Sequence, residues 1–276
     1  ICIVRDDSRR LQILDEVELG IYGWYEPENS PVDDLKELIN SAHQFHEFLK
    51  NVPKISKRHF RANGYHRIVG TSKEMISIYH MLVQIKNKDV TTILYGESGT
   101  GKNLISNTIH ETGLRRDRPM VAVNCPAIPS ELLESELFGH EKGAFTGAVD
   151  RKDGKFLAAN AGTIFLDEIG DMSPSLQSKI LRVLESGEIE RVGGAQTIKV
   201  SVRIISATNQ NLEQRIKDGL FRQDLFHRIN VFPITVPSLR SRKSDIPLTA
   251  MAILNKLSKK HQTQVKYISP GAMNLL

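Results

Sequence analysis

The stretch "TTILYGESGTGKN", residues 91–103, decides how the rest of the chain is read. A short apolar run ends in Gly96, Glu97, Ser98, Gly99, Thr100, Gly101 and Lys102, and a helical pattern follows. Glycines let a backbone fold tightly and aim its N–H groups at the oxygens of a phosphate. The start of a helix adds partial positive charge at the same place. A lysine there reaches the outer phosphates of a nucleoside triphosphate. The spacing therefore predicts a phosphate-binding loop in a strand–loop–helix setting. One position departs from the usual pattern: Asn103 stands where a Ser or Thr holds Mg²⁺.

Three later stretches suit that loop. "GTIFLDEIGDM", residues 162–172, reads as a buried strand ending in two carboxylates. Ligands of open α/β sheets bind at the carboxyl ends of the strands. There Asp167 is suited to hold Mg²⁺ and Glu168 to polarise an attacking water. "VRIISATNQNL", residues 202–212, reads as a strand ending at Asn209, whose amide could position water beside a γ-phosphate. "GLFRQDLFHRI", residues 219–229, carries Arg222 and Arg228. Both read as helix-surface charges, with a specific alternative as arginines offered to a neighbouring subunit's phosphate, a device worth roughly 10³–10⁵ in rate.

Around these motifs, β-rich runs alternate with helical stretches near 73–87, 102–112, 130–138 and 174–186. That alternation predicts an α/β fold, a parallel sheet flanked by helices. After Pro237 the chain turns helical, with "DIPLTAMAILNKLSKK" its clearest piece. Upstream, "NSPVDDLKELINSAHQFHEFL" reads as a helix with Ser30 as N-cap and Pro31 at its first position. The expected division is a regulatory remnant over 1–50, a basic linker over 51–67, an α/β core over 68–237 and an incomplete helical lid over 238–276.

Composition narrows the class. Of 276 residues, 40% are hydrophobic and 25% charged, as in an ordinary globular chain. No apolar run is long enough to span a membrane. The start at Ile1 and the end at Leu276 suggest a piece of a longer protein. Cys2 and Cys125 have no CxxC or Cys/His partner, which fits a reducing cytoplasm and argues against structural zinc. The net charge of +5 arises in one segment: seven of the basic residues lie between Glu47 and Glu74, with no acid among them. The 30 others face 32 acidic residues, so no broad nucleic-acid face is expected.

Taken together, "GESGTGK", "ESELFGHEKGAFTGA", "GTIFLDEIGDM", "ATNQNL" and "FRQDLFHRINVFPITVPSLRSRKSDIP" resemble the AAA+ domain of bacterial sigma-54-dependent transcriptional activators. The resemblance runs from about Ile68 to Leu276. It implies an ATPase that binds ATP and Mg²⁺, works as a homo-oligomeric ring, a hexamer, and remodels sigma-54 within RNA polymerase. It further implies that Gly143, Ala144, Phe145, Thr146, Gly147 and Ala148 tip a loop touching sigma-54. Asn124 would be a switch residue pairing with Glu168, and Asn209 a γ-phosphate sensor. Arg222 and Arg228 would act across a subunit interface. Ile68, Val69 and Gly70 would line the adenine pocket, and "ESGEIERVGG" would form a second, supporting loop. The family commonly has Glu where this chain has Asn103. Enhancer DNA would be bound only by a domain outside this sequence. The first fifty residues loosely resemble the end of a two-component receiver, without its lysine. Two other readings stay open: a nucleotide-gated sigma-54-binding module that does not hydrolyse, and an AAA+ machine with another client.

Overall fold

Three of the four side chains of Thr92–Tyr95 are buried, and the run is apolar and β-compatible. Its backbone is therefore cut off from water and pairs with a strand on each side. The computed structural model describes residues 60–61, 64–263, 268–273 and 275, together with Lys36, Ile39, Asn40, His43 and Glu47. In chain order its strands are β1 (Phe60–Arg61), β2 (Gly64–Tyr65), β3 (Ile68–Val69), β4 (Thr92–Tyr95), β5 (Met120–Asn124), β6 (Gly139–His140), β7 (Lys152–Asp153), β8 (Thr163–Asp167), β9 (Glu188–Glu190), β10 (Thr197–Lys199), β11 (Arg203–Thr208) and β12 (Phe232–Thr235). The helices are α1 (Lys73–Ile85), α2 (Lys102–Thr112), α3 (Ser130–Phe138), α4 (Lys155–Ala158), α5 (Pro174–Ser186), α6 (Leu212–Lys217), α7 (Gln223–Ile229), α8 (Ile246–His261) and α9 (Pro270–Met273).

Two compact units form, 84–236 and a second made of the residues up to 83 with 237–276. The first is built on a five-stranded sheet in the order β12-β4-β11-β8-β5, parallel throughout. Parallel strands need crossovers, and buried apolar helix faces supply them here. Ile164, Leu166 and Ile204 of the sheet share one core with Leu176 and Ile180 of α5 and Leu225 and Ile229 of α7. The expected α/β architecture is thus present. β12 is a strand that the β-rich runs had not shown, because Pro233 interrupts its apolar pattern. Proline lacks the N–H a central strand needs, and β12 lies at the sheet's edge.

In the second unit, β1, β2 and β3 form a small antiparallel sheet. The stretch expected as a linker thus ends in strands, and Tyr65 there is fully buried, its ring 5.9 Å from that of Tyr79. Asp245, completely buried just ahead of α8, accepts from the amides of Thr71 and Ser72 at 2.7 and 3.0 Å and from Ser72 Oγ at 2.6 Å. Those bonds explain why residues 68–83 group with 237–276 and not with the sheet. The expected receiver-like segment lies largely outside the described residues. Of the helix expected over 30–49, Lys36, Ile39, Asn40, His43 and Glu47 are helical, and the apolar Ile39 is exposed.

Candidate functional site

The site is assembled by strand order. β4 leads into the glycine loop and α2, β8 ends in Asp167, and β11, lying between them, ends just before Asn209. Asn124 closes β5 opposite Asp167 in the register. Four neighbouring strands therefore deliver Lys102, Asn209, Asp167 and Asn124 to one sheet edge, where ligands of open α/β folds sit.

In the loop, Gly99 and Gly101 have φ of 81° and 101°, and a Cβ on either would meet nothing within 4 Å. Side chains rarely adopt that backbone, so the loop's open inner face requires glycine. No side chain caps α2, whose first amides have no intrahelical acceptor. Lys102 is buried, and its Nζ donates to Gly96 O at 2.8 Å, Glu97 O at 3.3 Å and Glu168 Oε1 at 3.1 Å. Ser98 and Asn103 are exposed, and Thr100 Oγ1 donates back to Glu97 O at 2.8 Å.

Asp167 keeps one oxygen, Oδ1, buried without a hydrogen-bond partner. Burial, and then the neighbouring Glu168 charge, raise its pKa above the ordinary value. Both facts describe a carboxylate suited to a cation. Glu168 is the N-cap of a 3-10 turn with φ 55° and ψ 53°, a left-handed backbone unusual for a side-chain-bearing residue. Its Oε2 accepts from the Asn209 amide at 2.8 Å. Glu168 is thus held by Lys102 and Asn209, and no hydrogen bond joins it to Asn124 among those described. The sequence pointed to the Asn209 side chain; the structure adds its backbone N–H. Gln210 was missed. Its Nε2 donates to Asp171 Oδ1 at 2.5 Å, and its side chain closes over Gly170. No local pattern distinguishes this glutamine from a turn residue.

The GAFTGA loop stands on a two-strand base, β6 paired with β7. Gly143 N–H donates to Ala148 O at 2.8 Å, closing the loop on itself. Gly143 and Gly147 have φ of 82° and 103° with open space around them. Thr146 is exposed and Phe145 is 37% exposed, its ring centroid 5.0 Å from that of His140 in an edge-to-face arrangement. Ala148, expected in the contact set, is buried. Val149, not singled out from sequence, is 72% exposed beside it. Behind the loop runs "ERVGG". Arg191, 5% exposed, reaches Glu141 at 3.2 Å and Asp153 at 2.8 Å, on either side of the loop. Val192 N–H donates to Gly139 O, and Glu141 N–H to Val192 O.

Arg222 and Arg228 are not brought to Lys102 or Glu168. Arg222 grips Asp224 through Nη2 and Nε at 2.6 and 3.0 Å, and Arg228 reaches Glu185 at 3.4 Å. Ile68, Val69 and Gly70 belong to the other unit, where a Cβ on Gly70 would stand 2.8 Å from Asp245 Oδ2. Among the described residues no His/Cys/Asp/Glu group is arranged to hold a metal by itself, and no helix is long and apolar enough to cross a membrane.

A glycine loop between buried strand and helix, with a lysine meeting an acidic pair two strands away, defines an AAA+ P-loop NTPase fold. Residues 68–235 match the sigma-54 interaction domain family, and the chain belongs to it. The Nif-specific regulatory protein of Enterobacter agglomerans is 50% identical over 216 residues, covering 78% of this chain and 42% of that protein. The transcriptional regulatory protein ZraR of Salmonella typhimurium is 47% identical over 209 residues, covering 76% and 47%. A crystal structure of NtrX from Brucella abortus in complex with ADP superposes with a TM-score of 0.70 at 35% identity, covering 92% of this chain and 53% of that one. Another, in complex with ATP, also gives 0.70, at 34% identity, covering 96% and 55%. The chain thus spans about half the length of these relatives.

Proposed function

We propose that this chain is the ATP-hydrolysing motor of a sigma-54-dependent transcription activator. The observation that supports it most directly is one sheet edge carrying Lys102, Asp167, Glu168 and Asn209 in a chain that also presents Phe145 on a glycine-hinged loop. ATP suits the open glycine cradle, which would receive its phosphates on the first amides of α2, with Lys102 turning from Glu97 and Glu168 to the outer phosphates. Mg²⁺ suits the unpartnered Asp167 Oδ1 and, when bound, neutralises charge on the phosphoryl group being transferred.

Released from Lys102, Glu168 orients the attacking water, and its exchange of partners with Asn124 reports the state of the nucleotide. Asn209 senses the γ-phosphate. Arg222 and Arg228 let go of Asp224 and Glu185 and serve the neighbouring subunit of a ring, in our reading a hexamer. The loop 143–148 then presses on sigma-54 within RNA polymerase, in the cytoplasm, while enhancer DNA is held by a domain outside this sequence.

The test is phosphate release by the full-length protein against protein concentration. The proposal predicts activity that rises as subunits assemble and is abolished by Glu168→Gln. Full binding of ATP and sigma-54 with no phosphate release would favour the non-hydrolysing module, a reading that Asn103 keeps in play.

A further inference from the structure

Gln177 has no part in the chemistry above, yet it is a fully buried amide that makes three hydrogen bonds. Its Nε2 donates to Met172 O at 2.8 Å and to Leu220 O at 3.0 Å. Its Oε1 accepts from the Arg222 amide at 2.8 Å. A buried amide with its bonds made in three directions fixes the backbones around it, because any shift leaves a polar group unpaired away from water. The next residue on α5, Ser178, takes Arg222 Nη1 at 3.2 Å, so one turn of helix holds both the backbone and the guanidinium of Arg222.

The other end of this link is the nucleotide edge. Met172 closes the turn that Glu168 opens, and Asp171 in that turn is held by Gln210, next to Asn209. Asn209 N–H in turn holds Glu168. Hydrogen bonds, joined by the two covalent steps Asn209–Gln210 and Asp171–Met172, therefore lead from Glu168 through the turn 169–172 and Gln177 to the backbone of Arg222.

We infer that Gln177 is a positioning residue that ties the turn after Glu168 to Arg222, so that each subunit's own nucleotide site sets the arginine it offers to the next copy. The inference rests on the proposed function, in which Arg222 acts in trans. Moving the turn by a fraction of a bond length moves Met172 O and, through the amide, the start of α7. Ser178 and Asp224 determine where the guanidinium rests, and Gln177 determines where its backbone stands.

The test mixes two full-length variants, each inactive alone. Glu168→Gln subunits supply arginines but no chemistry; Arg222→Ala subunits supply chemistry but no arginine. Restored phosphate release in the mixture reports arginines working in trans. Gln177→Met is then placed in one partner or the other, and binding of a fluorescent ATP analogue is measured for each. Gln177→Met in the arginine-supplying subunit should lower the restored activity about ten- to a hundred-fold, the scale of a misplaced catalytic group, with analogue affinity unchanged. In the Arg222→Ala subunit it should change the activity less than about two-fold, since no arginine remains there to be positioned. Equal losses in both placements, no loss in the first, or loss of analogue binding with the activity would each overturn the inference and leave the proposed function standing. A mixture that restores nothing would overturn both.

Discussion

Two regions of this molecule use glycine for opposite ends. In the connections around the sheet, Gly154 and Gly162 sit where backbones crowd. A Cβ on Gly162 would stand 2.0 Å from Pro119 O, and one on Gly154 would stand 2.3 Å from Phe138 C. In the loop 143–148, Gly143 and Gly147 face open space with φ of 82° and 103°. The first kind makes a frame that cannot shift without clashes; the second makes a tip that can swing while its feet stay tied. The nucleotide edge belongs to the frame, hung on the ends of buried strands. Phe145 belongs to the tip. The proposed function needs both, joined at few points, and Arg191 with its ties to Glu141 and Asp153 is the clearest joint on the loop side.

The largest expected effect breaks the frame's chemistry and spares its shape. Glu168→Gln should lower phosphate release by about 10²–10⁴-fold while a fluorescent ATP analogue still binds; loss of both would show Glu168 to be a structural residue. Next come the glycines. Gly162→Ala should cost more than about 3 kcal/mol in denaturant unfolding, since something in the backbone must give. Gly147→Ala should cost about 1–2 kcal/mol, the penalty of a left-handed backbone alone. Equal costs would erase the distinction between frame and tip. Arg191→Met, which leaves two acids able to reach water, should cost about 2 kcal/mol and speed amide exchange over 139–153 without changing analogue affinity. Phe145→Ala should cost about 0.5 kcal/mol or little more, and leave phosphate release intact, while sigma-54 capture disappears.

The smallest effect concerns the resting arginine. The Arg222 hydrogen bond holds the Asp224 carboxyl below the usual aspartate range. The clasp is therefore complete above the ordinary aspartate value and loosens as pH falls through the depressed one. Carboxyl NMR should see Asp224 return to the ordinary range in Arg222→Ala.

What could be read from the residues followed locality. β4, β5, β8 and β11 were visible as apolar runs, and α2, α3 and α5 as periodic stretches between them, because each is specified by its own neighbours in sequence. Lys102, Asp167 and Asn209 could be placed because every one ends or follows a strand of the same parallel sheet. β12 hid behind Pro233, and the strands of the pairs β6–β7 and β9–β10, two or three residues each, are too short to show an alternating pattern. Gln177 and Gln210 were illegible because their bonds reach residues such as Leu220, Arg222 and Asp171, up to 45 positions away, whereas the supporting stretch that holds Arg191 was expected from the resemblance. Asn124 and Glu168 are a different case: the family resemblance pairs them, whereas here Glu168 is held by Lys102 and Asn209.

The central claim is that nucleotide state moves Phe145 against sigma-54. The direct measurement places a photo-crosslinking residue at position 145 of the full-length protein and records its yield with sigma-54 polymerase, with a non-hydrolysable ATP analogue and with ADP. The account predicts a yield that differs strongly between the two nucleotides and loses that difference in Asn124→Ala. The same yield in both states, unchanged by Asn124→Ala, would contradict it.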